Sequence, residues 1–272
     1  MLPTVDDHPR SRLRAGAITV DLAQMLVVAA GAFLAGAMNA VAGGGTFFSF
    51  PALLAVGVPP ITANATNTVA LCPASLASAW AYRDEAVRHK RRALTLVVIS
   101  IVGGIAGSLL LLATSDQAFT ELIPWLLLAA TLLFAASRKL SDLVALQKRV
   151  SRVFGTALQL PVAVYGGFFG AGLGILTLSA LSVQGIKDVQ ELNALKNLAS
   201  AVNYMIAAVI FMVSGAISWP HALVMISTSV LGGHFGAVLA RHLSSSWLRR
   251  IIVSIGVPLR TEDVTRSCPA PR

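Results

Sequence analysis

Hydrophobic residues in this chain fall in long blocks with no period-2 alternation, so the pattern predicts helices and no strands. Apolar runs occupy about 22 to 42, 64 to 82, 94 to 114, 122 to 137, 154 to 183, 193 to 213 and 220 to 240. A helix needs roughly 20 such residues to cross a hydrocarbon core. The run at 122 to 137 is short and must thin the bilayer or borrow flanking residues. Two runs are interrupted in the same way. Gly43-Gly44-Gly45 leads to Pro51-Ala52-Leu53 and Gly57; about 128 residues on, Gly170-Ala171-Gly172 leads to Ser179-Ala180-Leu181 and Gly185. Each copy is followed by an Asn-led helix, at Asn64-Ala65 and at Asn193-Ala194. The chain is therefore read as a duplication. Glycine-broken hydrophobic segments at matching positions of two halves point to a transporter's binding site.

The stretch 46 to 57 covers about half a bilayer as helix, so it is expected to dip in and return, with Val58-Pro59-Pro60 as its exit. The second half repeats this around Gly170 to Gly174, with Gln184-Gly185 as exit. The predicted fold is an all-α integral membrane protein of two homologous halves, built from broken and full transmembrane helices, with about seven spans. Its expected parts are a cytoplasmic amino-terminal segment at 1–21, a first transmembrane repeat at 22–137, a basic cytoplasmic linker at 138–152, a second repeat at 153–257 and a polar tail at 258–272. The last expected helix is cut short, because Ile251 to Val257 gives only a brief apolar stretch before Pro258. A truncated or frameshifted product and a natural short tail both explain it. An even number of crossings per half makes the repeats parallel and an odd number inverts them; the pattern alone leaves this open.

Composition agrees with a bilayer and excludes a water-soluble globule: mean hydropathy is +0.75 and only 12% of residues are charged. The net charge of +9 does not indicate nucleic acid, because the bases cluster in loops. Arg10, Arg12 and Arg14 precede the first run; Arg83, Arg88, Lys90, Arg91 and Arg92 follow the second; Arg138, Lys139, Lys148, Arg149 and Arg152 follow the fourth. The positive-inside rule places all three clusters, and with them the amino terminus, in the cytoplasm, and places the acidic loop 115 to 121 outside. A cleaved signal peptide is not expected, since the same glycine pattern recurs deep in the chain. Cys72 and Cys268 offer neither a disulfide framework nor metal-ligand spacing, so no metal or cofactor is expected.

The candidate chemistry lies on the Asn-led helices. At 100° per residue, Asn193, Lys196, Asn197, Ser200, Asn203 and Tyr204 share one face, as do Asn64, Asn67, Thr68, Ser75 and Ser78. Polar stripes in lipid must face protein or a wet cavity. Interhelical hydrogen bonding explains the serines as well as a site does. Lys196 is the one base well inside an apolar run; it either snorkels to the interface or fixes a positive charge in the cavity. With no mid-span carboxylate, the set favours a small anion, helped by the positive ends of the broken helices. The candidate binding residues are Gly43, Gly44, Gly45, Asn64, Asn67, Gly170, Gly172, Asn193, Lys196 and Asn197. Gly103, Gly104, Gly107, Gly232, Gly233 and Gly236 read as helix-packing glycines, and Phe47, Phe48 and Phe50 as packing side chains. His234 reads equally as a proton relay or as an interhelical hydrogen-bond partner. Enzymatic function is not expected: paired intramembrane Asp residues, a serine with a demonstrable base and a phosphate loop ending in Lys-Ser or Lys-Thr are all missing.

Ala35-Gly36, Asn39 through Gly45, Phe50-Pro51-Ala52-Leu53-Leu54, Gly57, Ala63 through Asn67 and Tyr82-Arg83, together with Gly166 through Gly172 and Asn193-Ala194-Leu195-Lys196-Asn197, closely resemble the sulfite exporter TauE/SafE family. The resemblance covers roughly 25 to 250. It implies a multi-pass permease of a bacterial inner membrane that moves small sulfur oxyanions or organosulfonates. Its partners are then a small anion and the lipid bilayer, with homo-oligomerisation left open. A member of the family usually closes with a hydrophobic helix after the pair matching Arg249-Arg250, and this chain departs there. The rival reading is a membrane structural or assembly subunit that does not transport, or a transporter inactivated by its short end.

Overall fold

The computed structural model describes residues 22–41, 44–129, 132, 152–184, 186 and 188–240. The polar tail at 258–272, nearly all of the linker at 138–152 and the shortened last helix lie outside them. Every regular element among the described residues is helical: α1 (Leu22–Val41), α2 (Thr46–Ala55), α3 (Pro60–Ala81), α4 (Arg83–Arg88), α5 (Lys90–Ala113), α6 over 116–129, α7 (Arg152–Phe168), α8 (Leu173–Val183), α9 (Val189–Ser214) and α10 (Trp219–Ala240). Three helices contain stretches long and apolar enough to cross a bilayer by length and composition, at Leu22–Asn39, Lys90–Ala113 and Gln190–Ser214.

The local reasons are legible. Helix α2 has only 10 residues, about 15 Å of rise, and returns along α1: a Cβ on Gly45 would lie 2.5 Å from the Ala35 carbonyl oxygen, and one on Gly31 would lie 2.6 Å from Ala52 Cβ. Only glycine lets the two backbones come this close. Pro59 then ends the excursion, and Pro60 sits at the first position of α3, where a missing N–H costs nothing. Helices α7 and α8 make the same return pair, with the Gln159 amide donating to the Thr177 carbonyl at 3.3 Å. Gly170 and Gly172 both take positive φ, +73° and +71°, which closes the turn between them. Both Asn-led helices start about one turn before their asparagines. Asp188 caps α9 by accepting from the Gln190 N–H at 2.8 Å, which the expected start at Asn193 overlooked.

The two halves interlock. Helices α1 and α7, α2 and α8, α3 and α9, and α5 and α10 are counterparts, and the packing respects that pairing: α1 lies on α10 as α7 lies on α5, while α3 and α9 pack together at the centre. Small residues allow both outer contacts. A Cβ on Gly107 would stand 2.1 Å from the Val164 carbonyl oxygen, and one on Gly36 would stand 2.0 Å from that of Ser229.

The direction of the central pair settles the symmetry. The Thr66 hydroxyl, near the start of α3, accepts from the Ser218 N–H just beyond the end of α9, at 3.0 Å. At the other end, Glu191 opens α9 beside His89 and Arg92, which follow α3 and α4. Counterpart helices thus run antiparallel, and the repeats are inverted. The return pair of the first half has no net crossing, so α3, α5 and α6 give an odd number of crossings before α7 begins.

Leu22 and Pro60 share a face because α1 and α2 return on themselves, whereas Arg83 to Arg92 and Arg152 lie on the opposite, Arg-rich face. The first basic cluster, at 1–21, lies outside the described residues, as do Arg138, Lys139, Lys148 and Arg149.

Candidate functional site

At the centre, the tips of the two half-length helices meet the central pair. Thr46, the first residue of α2, lies beside the Tyr204 phenol of α9, and that phenol donates to the Gly170 carbonyl at 3.1 Å in the second break. One tyrosine thus touches both tips. The Asn67 amide donates to Thr46 Oγ1 at 3.2 Å, and the Ser49 hydroxyl donates to Asn67 Oδ1. From the first half, the Asn64 amide crosses to the Phe168 carbonyl at 2.9 Å, just ahead of the second break. Tyr165 donates to the Ala171 carbonyl at 2.9 Å. Thr46, Ser49, Asn64 and Asn67 are each at most 1% exposed. Burial of so many polar groups is tolerable only because most are bonded.

Three side-chain groups near this centre remain unpartnered although buried: Asn64 Oδ1, Asn203 Oδ1 and the Ser200 hydroxyl. Asn203 uses its amide on the Ala163 carbonyl at 2.8 Å, and its free oxygen faces Gly166, where a Cβ would come within 2.7 Å. Unbonded buried groups of this kind cost about 1–3 kcal/mol each, so each calls for a partner such as an ordered water or a ligand. Among the described residues, no cluster of His, Cys, Asp and Glu capable of holding a metal is present.

The candidate residues divide into those the structure brings together and those it does not. Asn64 and Asn67 join the central network, and Gly44, Gly45, Gly170 and Gly172 frame the two tips. Gly43 lies outside the described residues. Asn193, Lys196 and Asn197 sit on α9 toward the Arg-rich face, half-buried, and none hydrogen-bonds to the central network. Thr46, Ser49, Tyr165 and Tyr204 are the members that reasoning from the sequence missed. The signal was available: Thr46 directly follows the first glycine triplet, Ser49 comes one turn later, and Tyr204 lies on the polar stripe of α9.

Aromatic residues close the cluster toward the face opposite the arginines. Phe50 meets Phe169 edge-on at 5.3 Å between centroids, and Phe119 meets Phe168 at 5.6 Å and Phe169 at 6.2 Å. Phe47 and Phe50 are buried in one hydrophobic cluster and Phe48 packs partly buried against it, so the phenylalanines of α2 are packing side chains, as expected. His234 is exposed beside Phe235 and lies away from the network.

A family model described as sulfite exporter TauE/SafE matches residues 28–259. The chain is similar to a "probable membrane transporter protein" of Haemophilus influenzae, 31% identical over 229 residues that cover 81% of this chain and 87% of the relative. It is also similar to the "probable membrane transporter protein YfcA" of Escherichia coli K12, 27% identical over 230 residues, 82% of this chain and 83% of the relative. A third relative, the "probable membrane transporter protein ORF9" of Sinorhizobium sp, is 26% identical over 231 residues, 84% of this chain and 87% of its own length. No solved structure matches. A match that spans nearly the whole duplicated region, breaks and polar helices included, makes this chain a member of the sulfite exporter TauE/SafE family.

Proposed function

We propose that the protein is a multi-pass permease of a bacterial inner membrane that moves a small anion, a sulfur oxyanion or an organosulfonate, through the centre of its inverted repeats. The observation that carries this reading is the meeting of two half-helix tips on one cluster of hydroxyls and amides that contains no carboxylate. Helix N-termini present unbonded N–H groups and partial positive charge, so a cluster built on two of them favours an anion. In this reading, N–H groups around Gly44, Gly45, Gly170 and Gly172 cradle the oxygens, and Gly43 belongs with them. Asn64, Asn67 and Tyr204 orient the ligand. Lys196 supplies fixed charge on the path from the Arg-rich face, flanked by Asn193 and Asn197. That face is assigned to the cytoplasm, since it bears Arg83, Arg88, Lys90, Arg91 and Arg92, whereas Asp116 and Glu121 lie on the other.

The test is uptake into proteoliposomes. Labelled sulfite and methanesulfonate should enter protein-containing vesicles well above protein-free controls, while labelled choline should not. Equal entry of choline would overturn anion selectivity. The mutual bonding of Thr46, Ser49 and Asn67 favours a second reading, a purely packing role in a subunit that does not transport. That reading requires the stripe to be dry: a cysteine at Ser200 would not react with a water-soluble thiol reagent.

A further inference from the structure

The inverted repeats allow each lining residue on one face to be compared with its counterpart on the other, and one cavity changes character completely under that comparison. Between α5, α7 and the exit of α8, on the Arg-rich face, lies a cavity of about 210 Å³ lined by Arg91, Arg92, Thr95, Leu96, Thr156 and Gln184. Helix α10 matches α5 at an offset of 129 positions: Ala93 with Ala222, Leu96 with Met225, Ser100 with Ser229 and Gly103 with Gly232, all buried in both copies. The same offset sets Arg91 against Pro220, Arg92 against His221 and Thr95 against Val224. The matching breaks set Gln184 against Val56 and Thr156 against Ala29. Almost every polar lining residue thus has an apolar counterpart.

The counterpart region is filled. Met225 is fully buried in one cluster with Val28, Phe50 and Phe119, and Val56 packs against that cluster. On the Arg-rich face the same place is open, and its polar groups are not all spent. Gln184 Nε2 is a buried donor without a partner. Arg92 directs one nitrogen to Glu191, which is 6% exposed and also lies 3.2 Å from His89 Nδ1. Arg91 is exposed at the mouth. Among the described residues, no carboxylate lines the cavity itself.

From this asymmetry we infer that the cavity is a loading site for a small oxyanion on the Arg-rich face, a station separate from the central cluster. Two guanidinium groups and a buried amide donor suit the planar or pyramidal array of oxygens on a sulfite, sulfonate or phosphate, because guanidinium presents paired donors to paired oxygens. The Glu191 carboxylate holds Arg92 in place and leaves its remaining donors for the ligand. The inference deepens the anion-permease reading and rests on it for the ligand class. It adds that the two faces are unequal: the Arg-rich face captures the anion, and the other face holds an apolar plug at the same position.

The test uses full-length protein in nanodiscs for binding and in oriented vesicles for flux, with sulfite and methanesulfonate as probes. Gln184→Val and Thr95→Val install the counterpart residues, and Arg91→Gln removes the charge at the mouth. Arg88→Gln removes a charge from the same face at a residue that does not line the cavity, so it controls for surface potential. The triple variant should weaken sulfite binding at least tenfold and raise the half-saturating concentration at the Arg-rich face by a similar factor. The opposite face should stay within twofold, as should Arg88→Gln at either face. Unchanged binding in the triple variant, or equal shifts from both faces, would overturn the loading site. If wild-type protein binds sulfite and the triple variant does not, yet no anion crosses the vesicle membrane, the permease reading fails and the binding site stands.

Discussion

Tyr204 is the residue on which the centre turns, because its phenol reaches both broken segments. Tyr204→Phe keeps the ring and removes the bond to the Gly170 carbonyl, so it should cost about 1 kcal/mol of stability, somewhat more if the carbonyl stays dry. Thermal melting in detergent should show a fall of a few degrees with secondary structure intact, and a wild-type melting curve would argue against the bond. Lys196 makes a different prediction, since it has no part in that network. Lys196→Ala should lower anion flux at least tenfold while Lys196→Arg retains most of it, because only the fixed charge is needed; unchanged flux in both would remove Lys196 from the path. At this scale the sequence is a partial guide. Asparagines on a lipid-buried stripe announced themselves, but Thr46 and Ser49 look like ordinary helix residues until the fold brings Asn67 against them.

Between elements, backbone proximity decides what is tolerated. Gly36→Ala places a Cβ 2.0 Å from the Ser229 carbonyl oxygen, so α1 and α10 must move apart, at about 1–3 kcal/mol or more. Gly233→Ala meets only the Gly36 carbonyl at 3.7 Å and should be nearly silent, within about 0.5 kcal/mol. Chemical denaturation of the two variants side by side checks this, and equal losses would contradict the packing. The sequence marks Gly233 as a packing glycine and Gly36 only as part of a family motif; the crossing of the helices puts the close contact at Gly36 instead. The breaks, the half-length helices and the exit at Pro59-Pro60 were legible because glycine and proline act locally. The start of α9 was not, because Asp188 caps it through a side-chain bond that hydrophobic periodicity does not reveal.

For the whole molecule, duplication was plain in the glycine pattern, whereas the sense of the repeats depended on counting crossings that the pattern leaves open. Once α2 is seen to return on α1, the first half is left with three crossings, α3, α5 and α6, and the second copy starts inverted. Single cysteines then have defined sides. In a background without native cysteines, Ser115→Cys and Trp219→Cys should react with an impermeant reagent from one side, and Asp84→Cys and Gln190→Cys only from the other. Reactivity shared by positions 84 and 219 would restore parallel repeats.

The central claim is that both half-helix tips and the polar faces of α3 and α9 form one anion site. The most direct measurement is sulfite counterflow in proteoliposomes by wild-type protein and by the Asn67→Leu, Tyr204→Phe double variant, with folding confirmed by elution profile and secondary structure. The account predicts counterflow by wild type and at least a tenfold loss in the folded double variant. Equal counterflow by both proteins would contradict it.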